Sequence, residues 1–205
     1  KRITFEGNDN VKASKLTSAM KKTKDMRILN FFSSKKFDEK EYPNDKRLLL
    51  QAYGERGYRD ARIVKDSMYY IEDGRLGIHF KIDEGKRYYF RNITWTGNSI
   101  YAADQLNGIL NIKKGDIYDV VSMEKRLFDA EEGNVSKLYR DNGYLFFNIS
   151  PVEVRIDGDS VDVEMRMVEG KPATFNKIVI NGNNITNEKV VRRQLWTKPG
   201  YLFSQ

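Results

Sequence analysis

Apolar and polar residues alternate strictly in two segments of the chain that lie about 85 residues apart. The apolar positions are Leu76, Ile78, Phe80 and Ile82 in the first segment and Val161, Val163, Met165 and Met167 in the second. A period of two predicts a strand with one buried and one exposed face. Each segment follows an Asp-Gly pair (Asp73-Gly74 and Asp157-Gly158) and, before that pair, another strand-like run. The pattern therefore predicts two β-hairpins.

Helical spacing precedes each hairpin. A helix is predicted from about Ser122 to Asn142, with Gly143 as its left-handed C-terminal cap and a kink or break favoured at Gly133. Its counterpart includes Arg47 to Arg56 and is capped by Gly57, and Pro43 favours a start of this helix near that residue. Both halves of the chain are thus expected to place a capped helix before a hairpin.

A Gly-Asn pair ends a short β-rich run at three places, Gly7-Asn8, Gly97-Asn98 and Gly182-Asn183. Each run predicts a short first strand, and the residues behind the first and third pairs show the spacing of a first helix. In the third copy the strand is expected at Lys177 to Ile180, and Thr186 is the candidate N-cap of the helix that follows.

Two other motifs recur at the same spacing, Tyr-x-x-x-Gly-Tyr at Tyr53 to Tyr58 and Tyr139 to Tyr144, and Glu-Gly at Glu84-Gly85 and Glu169-Gly170. All of these markers hold one register, which predicts tandem copies of a β-α-α-β-β unit. Each unit is expected to have an α+β fold, in which two helices cover one face of a three-stranded mixed sheet. One covering layer suffices because each strand is apolar on only one side.

The repeats divide the chain into residues 1–87, residues 88–171 and residues 172–205. The last part holds only the first strand and the first helix of a third unit. Because these two elements lack the hairpin that they would pack against, we expect the chain to be a fragment of a longer array.

These residues resemble the POTRA (polypeptide-transport-associated) family in the element order, the Gly-Asn pair, the Tyr-x-x-x-Gly-Tyr motif and the closing Glu-Gly. The resemblance covers essentially the whole chain. It implies the periplasmic portion of an outer-membrane protein, a non-enzymatic arm that receives unfolded outer-membrane β-barrel proteins and docks accessory assembly subunits. Other functions stay open: a passive articulated spacer, the arm of a two-partner secretion transporter, or a basic module that binds polyanions.

The resemblance also places the third strand of each unit at the centre of the sheet and the second strand at an edge. An edge strand exposes unpaired backbone donors and acceptors, so an extended client can add to it by β-augmentation. Pro151 supports an edge in the second unit independently, because proline cannot donate to a ladder.

The expected client-binding edge consists of Arg62, Ile63, Val64, Lys65, Asp66, Ser67, Met68, Tyr69 and Tyr70. This run contains no proline, so a continuous set of donors is expected and clients should prefer it. A secondary edge is expected at Asn148, Ile149, Ser150, Val152, Glu153 and Val154, where Pro151 interrupts the donors.

The formal net charge is +7, and between Lys12 and Arg47 eleven basic residues face five acidic ones. The connection between the two helices of the first unit is also longer than in the second unit. It contains a candidate contact loop made of Phe31, Phe32, Lys35, Lys36 and Phe37. Basic residues with aromatic neighbours suit an anionic membrane surface or another polyanion, although nucleic acid is not expected as a partner.

Little in the sequence suggests catalysis. The chain has no cysteine, and its one histidine, His79, has no second His or Cys with which to complete a typical transition-metal site. Gly85-Lys86 and Gly170-Lys171 lack the Ser or Thr and the preceding glycine of a phosphate loop. We therefore expect no enzymatic activity, no metal and no cofactor. No apolar run approaches the roughly 18 residues that a transmembrane helix needs, so none is expected.

Overall fold

The computed structural model describes residues 2–21, 39–71, 74–128, 133–182 and 187–204. Its elements, in chain order, are β1 (Arg2–Glu6), α1 (Ala13–Ala19), α2 (Tyr42–Gly54), β2 (Arg62–Tyr70), β3 (Leu76–Asp83), β4 (Tyr89–Thr96), α3 (Ala103–Leu110), α4 (Val120–Phe128), α5 (Val135–Asp141), β5 (Asn148–Asp157), β6 (Ser160–Val168) and α6 (Glu188–Gln194). The expected α+β fold is confirmed. None of the helices in the described ranges has the length and hydropathy that a membrane-spanning segment requires.

The first sheet has the strand order β1-β3-β2. β1 pairs with β3 in parallel and β2 pairs with β3 antiparallel, so the sheet is mixed and its third strand is central. Ile78, Phe80 and Ile82 of β3 are buried in one core with Leu16 of α1 and Leu49 of α2. The alternation in the sequence thus marks the face that the helices cover.

The second sheet repeats this arrangement with the order β4-β6-β5. Val161, Val163 and Met165 of β6 are buried, as are Leu106 of α3 and Leu127 of α4. The central strand again presents its apolar side to the core, so a three-stranded sheet with helices between its first and second strands occurs twice. In the described part of the second copy these helices number three, α3, α4 and α5.

The range from Ser122 to Asn142, predicted as one helix, contains two helices in the described residues, α4 and α5. The prediction of a single continuous helix was wrong. α4 already begins at Val120, where Asp119 Oδ1 accepts a hydrogen bond from the Ser122 amide (2.9 Å). α5 begins after Asn134, whose side chain accepts from the Lys137 amide (2.8 Å). The glycine before Asn134 disfavours helix and the Asn134 cap starts a new one, so the interruption lies where Gly133 suggested it.

In space the chain forms two compact units. The first contains Lys1–Asn92, Lys113–Ser122 and Arg155–Asp162, and the second contains Ile93–Ile112, Met123–Val154 and Val163–Gln205. The repeat boundaries after residues 87 and 171 stay a prediction.

The segment after each Glu-Gly pair makes the same backbone hydrogen bonds in both units. In the first unit the Tyr88 amide donates to the carbonyl of Gly57 (2.8 Å), and the Tyr118 amide donates to the carbonyl of Tyr88 (2.9 Å). In the second unit the corresponding donors and acceptors are Ala173 to Gly143 (2.7 Å) and Phe203 to Ala173 (2.9 Å). The residues just after 171 therefore make the same backbone hydrogen bonds as the residues just after 86.

The strand expected at Lys177 to Ile180 does not form, and this prediction was wrong. The nearest pairing is an isolated bridge between Thr174 and Leu202. The described residues offer this segment no central strand of the kind that β3 and β6 provide, and a lone strand is not stable. The helix is present as α6, capped by the side chain of Asn187; the proposed cap Thr186, like Asn183 and Asp73, lies outside the described residues.

We expect fast amide hydrogen exchange at residues 177–180 of the isolated chain, because no ladder protects these amides. The measurement is hydrogen exchange followed by NMR, with Val161 to Met167 in β6 as the internal reference. Protection of residues 177–180 equal to that of β6, in a chain verified to be monomeric, would contradict this expectation.

A left-handed glycine ends the helix region before each second strand. Gly57 has φ +85° and Gly143 has φ +91°. Just beyond them, the Tyr58 amide donates to the carbonyl of Tyr53 (3.1 Å) and the Tyr144 amide to that of Tyr139 (3.0 Å). Both predicted caps therefore have the backbone geometry that favours glycine.

Gly143→Val should destabilise the second unit by about 1–2 kcal/mol or more, because a β-branched residue is strained at positive φ. The added Cβ would also lie 3.0 Å from the side chain of Leu202. The matched control is Gly108→Val in α3, where φ is not left-handed and nothing lies within 4 Å of the new Cβ. Urea unfolding monitored in each repeat measures the effect, and equal curves for Gly143→Val and the parent would remove the cap assignment.

Candidate functional site

A buried glutamate holds three segments of the first repeat together. The Glu84 carboxylate accepts hydrogen bonds from the backbone amides of Asn10 (2.9 Å) and Val11 (3.1 Å) and from the Tyr53 hydroxyl (3.0 Å). Glu84 is only 6% exposed. The end of β3, the loop after β1 and helix α2 therefore meet at one carboxylate.

Glu169 does the same in the second repeat. Its carboxylate accepts from the amides of Ser99 (3.0 Å) and Ile100 (3.0 Å) and from the hydroxyls of Tyr139 (2.7 Å) and Ser99. Burial alone would raise the pKa of Glu169, but these hydrogen bonds outweigh burial and hold the pKa below its ordinary value. Burial and the adjacent carboxylate raise the pKa of Tyr139, so the phenol stays protonated and donates.

The other recurring motif residues contact the loop that this carboxylate binds or the tyrosine that donates to it. In the second repeat the side-chain amide of Asn98 donates to the carbonyl of Tyr101 (3.0 Å), which shapes the loop. Tyr144 packs edge-on against Tyr139, with ring centroids 5.8 Å apart. The first repeat has the equivalent contacts. Sequence reasoning used these motifs only as markers and missed their contact. The available signal was the similar spacing between the first tyrosine and the glutamate, 31 residues in one repeat and 30 in the other.

Gly97, in the Gly-Asn pair, has φ +88°, and a Cβ there would overlap the carbonyl oxygen of Met167. Gly7 stands in the same relation to Ile82. Glycine is therefore required where the first strand turns against the end of the central strand.

The expected client edge is the outer strand of the first sheet. β2 spans Arg62–Tyr70 as predicted and pairs with β3 on one side. The register shifts between Ile63 and Lys65, so Val64 lies at a β-bulge. Because a bulge disrupts the local ladder, the regular part of this edge runs from Lys65 to Tyr70.

The directions of the backbone amides follow from the turn after β2. The Ile71 amide donates to the carbonyl of Arg75 (2.8 Å), so it faces β3. Alternate residues of an antiparallel strand face the same partner. Counting back from Ile71 places the amides and carbonyls of Tyr70, Met68 and Asp66 on the outer side of β2.

Helix α2 holds the one carboxylate of this edge. Asp66 Oδ2 accepts from the Tyr42 hydroxyl (2.8 Å) and from Lys46 Nζ (3.2 Å). Burial alone would raise the pKa of Asp66, but these two bonds lower it. Asp66 therefore anchors β2 to α2 as a carboxylate and does not project from the edge, a role that the sequence did not reveal.

The secondary edge lies on β5 (Asn148–Asp157), which is the outer strand of the second sheet. Gly158 and Asp159 form a two-residue turn between β5 and β6, so Asp157 stands opposite Ser160. Alternation from this pair places the amides of Ile156, Val154 and Val152 on the outer side.

Pro151 precedes the segment 152–157 and removes no donor from it. The preference for the first edge rested on an interruption by Pro151, so that preference loses its basis. In each edge, three residues with outward amides follow an irregular position. That position is the bulge at Val64 in β2 and Pro151 in β5.

The remaining candidate residues are those of the basic and aromatic contact loop and His79. Phe31, Phe32, Lys35, Lys36 and Phe37 lie outside the described residues. His79 contacts Thr4 Oγ1 (3.0 Å) and Glu6 Oε2 (3.3 Å) on the open face of the first sheet. Among the residues described, no group of three or more His, Asp or Glu side chains could hold a metal ion.

Comparison with known proteins connects this geometry to a family. The family model described as POTRA, surface antigen variable number repeat, matches residues 1–85 and 88–170. Among curated proteins, the outer membrane protein assembly factor BamA of Neisseria meningitidis is 28% identical over 197 residues, which cover 94% of this chain and 24% of that protein. BamA of Neorickettsia risticii is 26% identical over 205 residues, covering 98% of this chain and 27% of that protein. The chain thus spans about a quarter of the length of these relatives.

A solved structure shows the same fold. The crystal structure of Haemophilus influenzae BamA POTRA3-5 matches with a TM-score of 0.66 at 19% identity and covers 99% of this chain and 78% of that one. The predicted resemblance is therefore confirmed at the level of family and fold.

Glu169→Gln should destabilise the second repeat by about 1–2 kcal/mol at neutral pH, because the amide can accept fewer of the four hydrogen bonds and brings donors of its own. The pKa of Glu169 is lower in the folded chain than in the unfolded chain. The carboxylate therefore stabilises the folded repeat above the unfolded pKa near 4.5, and this stabilisation is lost as pH falls through the folded-state pKa. The difference in free energy of unfolding between Glu169→Gln and the parent should therefore become smaller at acidic pH.

Chemical unfolding at neutral pH and below pH 4 measures this difference, with Glu124→Gln on the exposed face of α4 as the matched control. A Glu169→Gln variant as stable as the control at neutral pH would show that the carboxylate does not hold the repeat together.

Proposed function

Because the chain belongs to the POTRA family, we propose that it is part of the periplasmic arm of an outer-membrane β-barrel assembly factor. In this proposal β2 receives extended segments of unfolded outer-membrane proteins. Two curated relatives named as assembly factors match nearly the whole chain, which supports the placement.

The observation that carries the binding proposal is the outer side of β2. Within the described ranges no strand pairs with that side, and Asp66, Met68 and Tyr70 direct their amides and carbonyls there. A client strand can satisfy these groups through its own backbone, which every sequence provides. Binding of this kind suits a factor that handles many different clients.

The hydrogen bonds that tie Asp66 to α2 favour the same function. An edge carboxylate that projects outward discourages pairing with another chain. Here Tyr42 and Lys46 bind that carboxylate on the helix side of the sheet. The Asp66 carboxylate therefore does not obstruct a strand that approaches the centre of this edge.

Two further features belong to the proposal. Accessory assembly subunits are proposed as additional partners because the chain belongs to the POTRA family. Residues 172–205 are proposed as the opening of a third repeat, which the backbone pairing of Ala173 and Phe203 supports.

Met68→Pro should weaken binding of an unfolded barrel-strand peptide at the β2 edge by about tenfold or more, because proline removes an outward donor and its ring obstructs the approaching backbone. Met68 is the chosen position because its amide has no ladder partner to lose, whereas Asp66 is bonded to α2 and Val64 is bulged. Met68→Leu keeps the amide and an apolar side chain and serves as the matched control.

Titration of a labelled peptide against the three proteins measures the affinity and the number of sites per chain, and thermal melting verifies folding. Unchanged affinity and an unchanged number of sites in folded Met68→Pro would exclude β2 as a docking edge. Absence of peptide binding to the parent as well would favour a passive spacer.

A further inference from the structure

We infer that the two edge strands select amphipathic client strands, whose apolar side chains lie on the helix-covered side of the sheet and whose polar side chains lie on the open side. This inference rests on the proposed function, because it concerns what binds at the same edges. It assigns a specificity role to Met68 and Tyr70 in β2 and to Val154 and Ile156 in β5.

The register of the first sheet fixes the direction of the β2 side chains. Met68 stands opposite Ile78 and Tyr70 opposite Leu76. Directly opposed residues of an antiparallel pair project from the same face. Ile78 is fully buried in the core beneath the helices, so Met68 and Tyr70 also project on the helix-covered side.

These two side chains extend beyond the cover that the helices provide. Met68 is 43% exposed and Tyr70 is 81% exposed. An additional strand beside β2 would place its own side chains about 5 Å away on the same face. Apolar residues there would cover Met68 and Tyr70, whereas charged residues there would lose hydration against them.

The open face of β2 has the opposite character. Lys65 stands opposite Lys81, and Ser67 stands opposite His79. Tyr69 lies on this face too, but its ring covers Gly77 of the central strand. Polar side chains of a client would meet polar neighbours on this side.

The β5 edge has the same polarity. The two-residue turn places Val154 opposite Val163 and Ile156 opposite Val161, and both β6 residues are buried in the core. Val154 is 50% exposed and Ile156 is 43% exposed, as at the β2 edge.

On the open face of β5, Glu153 and Arg155 stand opposite Glu164 and Asp162 by the same alternation. Two independent edges therefore present apolar side chains on the helix side and mainly polar side chains on the other.

A strand that alternates apolar and polar residues complements such an edge along its whole length. Strands of membrane barrels have this dyad pattern, because one side faces lipid and the other faces the lumen. We therefore assign a strand of this pattern as the occupant of both edges. A segment with its apolar residues in one block would place half of them against the polar face and gain less from the same backbone bonds.

The test uses two labelled peptides of equal composition and charge, one with alternating valine and threonine and one with these residues in two blocks, both flanked by lysines for solubility. The alternating peptide should bind at least about fivefold more tightly. Met68→Lys/Tyr70→Lys should remove that preference at the β2 edge. Ser67→Lys, which adds a charge to the opposite face of the same strand, should leave the preference intact.

Two copies of the alternating peptide should bind per chain, and Met68→Pro should leave one, because β5 keeps its edge. Equal affinity of the two peptides, with loss of one site in Met68→Pro, would overturn the inference while the proposed function stands. If neither peptide binds the parent, the proposed function fails as well. Thermal melts of all variants exclude loss of fold as the cause.

Discussion

The buried carboxylate at the end of each central strand is the interaction on which the repeat depends. Glu84 reaches an amide 74 residues away in the loop after β1 and a hydroxyl 31 residues away in α2. A carboxylate out of water is costly unless it is fully hydrogen-bonded, and unbonded donors around it would be costly too. The loop, the helix and the central strand therefore have one arrangement in which all of these groups are satisfied, and Glu169 imposes it again.

The free edge follows from this constraint. The carboxylate fixes the loop after the first strand against the end of the third, where β1 pairs with β3 in parallel. The second strand then has only the other side of the central strand, so its own outer side stays unpaired in the described chain. Asp66 ties this strand to α2 through Tyr42 and Lys46. A rigid core thus supports an edge that a client backbone can extend.

The sequence predicted what depends on local pattern. The alternation in β3 and β6, the Gly57 and Gly143 caps and the span of β2 were all recoverable, because periodicity and left-handed glycines leave direct marks. The bulge at Val64 was not recoverable, since nothing in the residues shows which strand carries the extra position. The anchoring of Asp66 to α2 was not recoverable either, because its partners Tyr42 and Lys46 are distant in sequence. The strand at Lys177 to Ile180 was predicted from its β-rich residues and the Gly-Asn pair that follows, and it did not form, because a strand also needs a partner.

Amide exchange of β2 with and without a bound barrel-strand peptide tests most directly whether this edge receives a client backbone. The proposal predicts alternating protection: the outward amides of Met68 and Tyr70 should slow by about tenfold or more on binding. The inward amides of Ser67 and Tyr69, already bonded to β3, should change much less. Peptide binding that leaves Met68 and Tyr70 exchanging at their free rates would contradict β-augmentation at this strand.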